Sequence, residues 1–267
     1  MSKVVFITGA SSGIGKTTAE FLYKKGYTVY GSSRNPQANV INGIHFVTLD
    51  LAKPETIQKA VETILQRENR IDFLINNAGR GITGALEETP DEEIQKAFEI
   101  NYLGPIRVIK AVLPIMRKQQ EGMIINVTSV AGYMGLPFRG IYSATKGALE
   151  LTTEAFRMEL KPFNIKMTNI APGDFVTNIA KGRYYTPVYE NSPYKERYER
   201  SLREMDRDVN NGLPPIRMAK KVYHVMRQKH PTIHYKVGEF LQKISIALKH
   251  LLPDKIYEKL LMMYYKL

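Results

Sequence analysis

Cysteine is absent from the 267 residues. That excludes a disulfide scaffold, a thiolate zinc site, a cysteine nucleophile and an iron–sulfur cluster. Long apolar runs are lacking too. None reaches the roughly 18 residues that span a bilayer, and the run Val4 to Thr8 is too short for the apolar region of a secretory leader. A cytoplasmic protein is therefore the expectation. The five histidines (His45, His224, His230, His234 and His250) are scattered without metal-ligand spacing, so surface or packing roles and no metal are expected. Acidic residues are scarce near the C-terminus. Residues 214–267 carry eleven Lys/Arg against three Asp/Glu, two thirds of the net charge of +12. Such a tail suits an acidic partner: nucleic acid, anionic lipid or protein. No nucleic-acid motif accompanies it, so no nucleic-acid partner is expected.

The chain is long enough to bury a large core without staples, and α/β folds of roughly 250 residues are routinely one domain. The buried-strand pattern Lys3 to Thr8 is followed by a glycine–serine turn and a helix over Lys16 to Lys25. Strands are predicted at Tyr27–Ser33, Ile44–Leu49, Ile71–Asn76, Met123–Ser129 and Ile165–Ile170. Helices are predicted from Pro54 to Arg67, from Asp91 to Lys118 and from Tyr142 to Leu160, with Pro105 and Pro114 bending or breaking the second. The alternation predicts a doubly wound parallel sheet with helices on both faces. Ligands of such sheets bind at the C-terminal ends of the strands.

The turn Thr8-Gly9-Ala10-Ser11-Ser12-Gly13-Ile14-Gly15 joins the first strand to the first helix. Glycines there permit a tight turn and close approach of backbone to a pyrophosphate, and the helix N-terminus offers N–H groups and a positive dipole end. Gly15-Lys16-Thr17 imitates the end of a triphosphate-binding loop, but that motif needs glycine where Ala10 stands.

Further motifs accompany the turn: Asn76-Asn77-Ala78-Gly79, Asn101 in Ile100-Asn101-Tyr102-Leu103-Gly104, Ser129 thirteen residues before Tyr142, Tyr142-x-x-x-Lys146, and Pro172-Gly173 with Thr177 four residues on. In this order and spacing, over roughly residues 1–180, the chain resembles the short-chain dehydrogenase/reductase family. The resemblance implies a single-domain Rossmann-type α/β fold. It also implies an oxidoreductase moving a hydride between a nicotinamide and a carbonyl/alcohol pair, usually as a homodimer or homotetramer.

Tyr142 and Lys146 share a helix face. A lysine ammonium and an oxidised nicotinamide would lower the phenol's pKa, so that Tyr142 serves as general acid or base. The resemblance implies that Lys146 also holds the nicotinamide ribose, that Ser129 bonds the substrate oxygen, and that Asn101 supports a proton-relaying water. It implies cofactor contacts from Gly9, Ser11, Ser12, Gly13, Ile14, Gly15, Asp50, Leu51, Asn77, Ala78, Gly79, Pro172, Gly173 and Thr177. Capping the next helix is a second reading of Asp50. Phe175 is large enough to narrow the site. No Asp or Glu lies between Val29 and Gln37, where an NAD enzyme places one. Arg34 and Ser33 instead suit a 2′-phosphate, hence NADP(H); Arg34 also reads as a solvated surface charge.

Residues 180–213 are expected to form a substrate lid whose five tyrosines line a pocket or pack the lid. Residues 1–238 are read as the dinucleotide-binding and catalytic domain. Residues 239–267 are read as a basic amphipathic helical extension, with apolar residues at 3–4 spacing in 240–252 and 254–267. Three destinations fit it: a neighbouring subunit, an anionic membrane surface, or the chain's own sheet. A membrane-facing tail would suit a lipophilic ketone such as a steroid, a retinoid or a 3-keto lipid. A non-catalytic NADP(H)-binding redox sensor is the competing class.

Overall fold

Strand β1 (Val4–Ile7) is apolar throughout because it is buried on both faces. Val4 and Phe6 point into one apolar cluster, Val5 and Ile7 into the other. Opposite-facing neighbours are the rule in a strand, and only a sheet covered on both sides buries both sets. The computed structural model describes residues 2–177 and 182–267; the first two residues of the expected 180–213 lid lie outside them.

After β1 the chain forms α1 (Gly13–Lys24), β2 (Thr28–Ser33), β3 (Val40–Ile41), β4 (Ile44–Thr48), α2 (Pro54–Glu68), β5 (Phe73–Asn76) and β6 (Ile82–Thr83). It continues through α3 (Asp91–Phe98), α4 (Gly104–Gln119), β7 (Gly122–Val127), α5 (Gly140–Glu159), β8 (Ile165–Pro172) and β9 (Tyr184–Tyr185). It ends with α6 (Lys195–Asn210), α7 (Ile216–Met226), β10 (His234–Val237), α8 (Phe240–Leu251) and α9 (Asp254–Tyr264). The main sheet has the order β10-β8-β7-β5-β1-β2-β4-β3. All its pairings are parallel except that of the two-residue β3 with β4.

Helices α2 and α4 cover one face through Ile57, Val61, Ile64, Val108, Ile109 and Val112. Helices α1 and α7 cover the other through Ala19, Leu22, Met218, Val222 and Val225. The chain leaves β1 toward β2 and β4, then returns to lay β5 on the other side of β1. The strand order reverses there, which opens a crevice beyond the strands' C-terminal ends.

The expected helix over 91–118 divides. A π turn, Glu99–Leu103, separates α3 from α4. Pro105 lies in the first turn of α4, where its missing N–H costs nothing, and α4 runs on through Pro114. Helix α1 starts at Gly13 rather than Lys16, because the last glycines of the turn already form its first turn. Strand β10 escaped sequence reading because His-Tyr-Lys-Val is a half-exposed edge strand with no apolar run.

The two predicted C-terminal helices form as α8 and α9, and both pack back on the chain. Ile246, Tyr257 and Tyr265 are buried against Met134, Leu136 and Met205. Among the described residues no helix is long and apolar enough to cross a membrane.

Ile109→Ala should lower stability by about 2–5 kcal/mol, because a buried side chain is lost and a cavity left. Exposed Leu151→Ala should change it by no more than about 0.5 kcal/mol. Urea unfolding of both variants checks the contrast.

Candidate active site

Two cavities meet beyond the strand ends. The first, a cleft of about 790 Å³, is lined by the glycine turn (Gly9, Ser11, Ser12, Gly13, Ile14, Gly15), by Ser33, Arg34, Asp50 and Leu51, and by Asn77, Ala78 and Gly79. The second, of about 420 Å³, is mostly apolar and is walled partly by α8 and α9. Ile14, Tyr142, Pro172 and Thr177 line both. Gly173 lines the second only.

The glycine turn is held from below. Asn77 donates its side-chain amide to the carbonyls of Thr8 (3.0 Å) and Gly9 (3.1 Å), while the Asn77 and Ala78 N–H groups donate to the Thr8 hydroxyl. Gly9 has φ +68°, and a Cβ on Gly15 would stand 2.2 Å from the Gly9 carbonyl oxygen; only glycine fits either place. N-cap Ser12 makes no side-chain cap bond and no acid occupies the first turn of α1. An uncapped, acid-free helix start facing a cleft fits the phosphates of a dinucleotide.

Helix α5 carries Tyr142 and Lys146 one turn apart. The Lys146 ammonium is buried, donates to the Val127 carbonyl at the end of β7 (3.1 Å) and stands 5.9 Å from the centre of the Tyr142 ring. Ser129 follows β7 and caps the short helical turn Val130–Tyr133. Its hydroxyl accepts from Ala131 N–H (3.1 Å), which leaves its own hydrogen to donate. Asn101 sits in the π turn. Its amide oxygen accepts from Arg80 N–H (2.8 Å), and its nitrogen donates to the Arg80 carbonyl (2.8 Å) and to Thr145 on α5 (3.2 Å). The side chain thus pins the Gly79-Arg80 turn against the helix that holds Lys146.

The electrostatics differ from the sequence expectation. Burial pushes the Tyr142 phenol above its ordinary range. Arg139, a hydrogen bond from Ser129 and Arg183 pull it back down, rather than Lys146. The Arg139 guanidinium lies 5.8 Å from the ring centre. Lys146 is itself lowered by burial to about 8, with Glu150 opposing the fall. The spacing places an ammonium beside Tyr142 but does not show that the fold takes it out of water.

Glu150 was missed, although it continues the i, i+4 series from Tyr142 and Lys146. Its carboxylate accepts from Thr128, Tyr133 (3.0 Å) and Asn169 (2.7 Å) and bonds His234 (2.7 Å), which also reaches Glu154 (3.1 Å). His234 is therefore a half-buried packing residue of this network, the second of the two roles expected for it, and its pKa is raised, first by the hydrogen bond to Glu150. Asp174 was missed too. It accepts from Gln242 of α8, so the C-terminal helices are tied to the loop after β8. Its carboxyl is raised by burial.

Asp50 does not cap α2, whose N-cap is Lys53; its side chain accepts from Ala52 N–H (3.1 Å) at the rim of the cleft. Arg34 is exposed at the cleft's edge, and the Ser33 hydroxyl accepts from Asn35 N–H (3.3 Å). Phe175 is buried in the core beside α7 and also forms part of the second cavity's wall. None of the five tyrosines of the 180–213 segment lines that cavity. Tyr198 instead packs on Phe138 and donates to the Thr83 carbonyl (3.1 Å), and the cavity's other tyrosines, Tyr257, Tyr264 and Tyr265, come from the C-terminal extension.

Glu150 supplies the negative charge that favours the protonated form of Lys146. Glu150→Gln removes that charge and keeps the shape, so Lys146 should titrate below about 8. Side-chain NMR of the lysine ammonium groups across pH measures this directly.

A model of the short chain dehydrogenase family matches residues 3–186. The chain is 38% identical over 264 residues to a 3-ketodihydrosphingosine reductase of Bacteroides thetaiotaomicron, covering 98% of both. It is 31% identical over 277 residues to an uncharacterised oxidoreductase of Bacillus subtilis, covering 97% of both. A short-chain dehydrogenase from Streptomyces avermitilis superimposes with a TM-score of 0.83 at 31% identity, over 97% of this chain and 95% of that one. Other structures of this fold hold NADP in some cases and NAD in others, so likeness alone does not choose between them. On its glycine turn, its sheet order and these matches, the chain belongs to the short-chain dehydrogenase/reductase family of oxidoreductases, which act on carbonyl/alcohol pairs.

Proposed function

We propose that the protein is an NADP(H)-dependent reductase of a lipophilic ketone, and that a long-chain 3-keto lipid suits it better than a steroid or a retinoid. One observation carries the reading: an apolar cavity of about 420 Å³ meets the glycine-floored cleft at Tyr142. The Bacteroides relative, matched over 98% of its length and named for a 3-keto lipid base, supports the same substrate class. Residues 1–238 act as the catalytic unit, and 239–267 complete the wall of its cavity.

The bound cofactor supplies the hydride. Gly9, Ser11, Ser12, Gly13, Ile14 and Gly15 hold its phosphates. Arg34 pairs with the 2′-phosphate and Ser33 adds a hydrogen bond. Asp50 and Leu51 flank the adenine; Asn77, Ala78 and Gly79 line the middle; Pro172, Gly173 and Thr177 hold the nicotinamide end. Lys146 binds the nicotinamide ribose.

Tyr142 donates its proton to the carbonyl oxygen as the hydride arrives at carbon, leaving an alcohol and a phenolate. Ser129 donates to the same oxygen, where negative charge develops. The phenolate is stabilised by Arg139 and Arg183, and then regains a proton from water. Asn101 holds the Gly79-Arg80 turn beside Lys146, where a relaying water would stand.

NADPH oxidation with a panel of ketones, from small to long-chain, tests the reading. NADPH and a long-chain ketone should be preferred to NADH and small ketones, and Arg34→Asp should reverse the cofactor preference. Tyr142→Phe should cut turnover by about 10²–10⁴-fold with NADPH binding retained. Full NADPH binding with no oxidation by any ketone would favour a redox sensor.

A further inference from the structure

Helices α8 and α9 have inner faces that the fold explains and outer faces that it does not. The inner faces bury Ile246, Tyr257 and Tyr265. Leu241, Leu260 and Tyr264 line the second cavity and are at the same time exposed, Leu241 by 73%. They therefore form part of the cavity's rim. Outside the rim stand Phe240 (69% exposed), Leu251 (78%), Ile256 and Met263 (66%). Phe240 and Leu251 are three helical turns apart on α8, and Ile256, Leu260 and Met263 repeat at 4 and 3 on α9, so each helix presents an apolar stripe. Single exposed apolar residues need no explanation, but stripes beside a cavity mouth do.

The charges say what covers these stripes. Lys249 pairs with Asp254 and Lys266 with Glu204. Lys243, Lys255 and Lys259 are exposed and have no carboxylate partner among the described residues. In general a lysine stem can lie along apolar surface while its ammonium reaches the headgroups, so lysines beside an apolar stripe suit a helix lying in the headgroup layer of an anionic bilayer. A second copy of the chain seated on the same face would bring like charges together.

We infer that α8 and α9 dock the protein on an anionic lipid surface, with the mouth of the 420 Å³ cavity turned toward the bilayer. Docking rests on this surface alone. Only the further step, entry of a ketone from the bilayer into the cavity, rests on the proposed function.

The test is co-sedimentation of the full chain with vesicles, without NADPH or ketone, so that its failure is separate from any failure of the enzymatic reading. Vesicles of phosphatidylcholine with about a third phosphatidylserine should pellet the protein roughly tenfold or more better than phosphatidylcholine alone, and less so at high salt. The triple variant Lys243→Glu, Lys255→Glu, Lys259→Glu should lose the preference, and Phe240→Ser with Leu251→Ser should lose most binding. Thermal melting should show both variants folded, since all five side chains are exposed. Equal sedimentation with both vesicle types, or an unchanged charge-reversal variant, would overturn the inference. So would a wild-type dimer in solution that Phe240→Ser with Leu251→Ser dissolves, in protein that ignores vesicles, because the stripes would then be an interface between copies.

Discussion

A lysine ammonium taken out of water is the constraint on which the site turns. Lys146 is buried, and a buried ammonium persists only where fixed dipoles and a counter-charge replace its hydration. The fold supplies both. The Val127 carbonyl accepts from it at the end of β7, and the Glu150 carboxylate lies one turn further along α5. Glu150 is held in turn by Thr128 and Tyr133 from the stretch after β7, by Asn169 of β8 and by His234 of β10, three separate segments of the chain. Helix α5 cannot slide without breaking these bonds, so the spacing between Tyr142 and Ser129 is set by a network behind them both.

The same placement explains why the two cavities meet where they do. The strand-order reversal beside β1 opens the first cleft, and the glycine turn, tied down by Asn77, forms its floor. The second cavity is built later in the chain. Asp174 accepts from Gln242, and that contact carries α8 and α9 across the open end of the sheet. Tyr142 stands on the boundary between a polar cleft and an apolar cavity, where a proton donor facing both a dinucleotide and a ketone has to be.

Much of this was legible in the residues because it is local. The buried run Val4 to Ile7, the glycine turn, Tyr142 with Lys146, and Ser129 at a strand end depend on neighbours a few positions away. What escaped depends on long-range packing. His234 reaches Glu150 across 84 residues, and Asp174 meets Gln242 across 68. Arg183 also comes to Tyr142 from far along the chain, whereas Arg139, the N-cap of α5 just before Tyr142, was local and was still overlooked. The π turn at Asn101 left no mark that Pro105 did not obscure. The phenol's upward shift was invisible for the same reason: spacing places a cation nearby but does not say that both groups are buried.

Burial raises the Tyr142 phenol in the free protein, and the positive charge of the oxidised cofactor should lower it to the range needed for proton transfer. The most direct measurement is a pH titration of the ring signals of ¹³C-labelled tyrosine, with Tyr142 assigned by Tyr142→Phe, in the free protein and with saturating NADP⁺. A value above the ordinary 10.0 is expected in the free protein, with a clear fall on binding. A Tyr142 that titrates at or below 10.0 in the free protein, or that does not respond to NADP⁺, would contradict it.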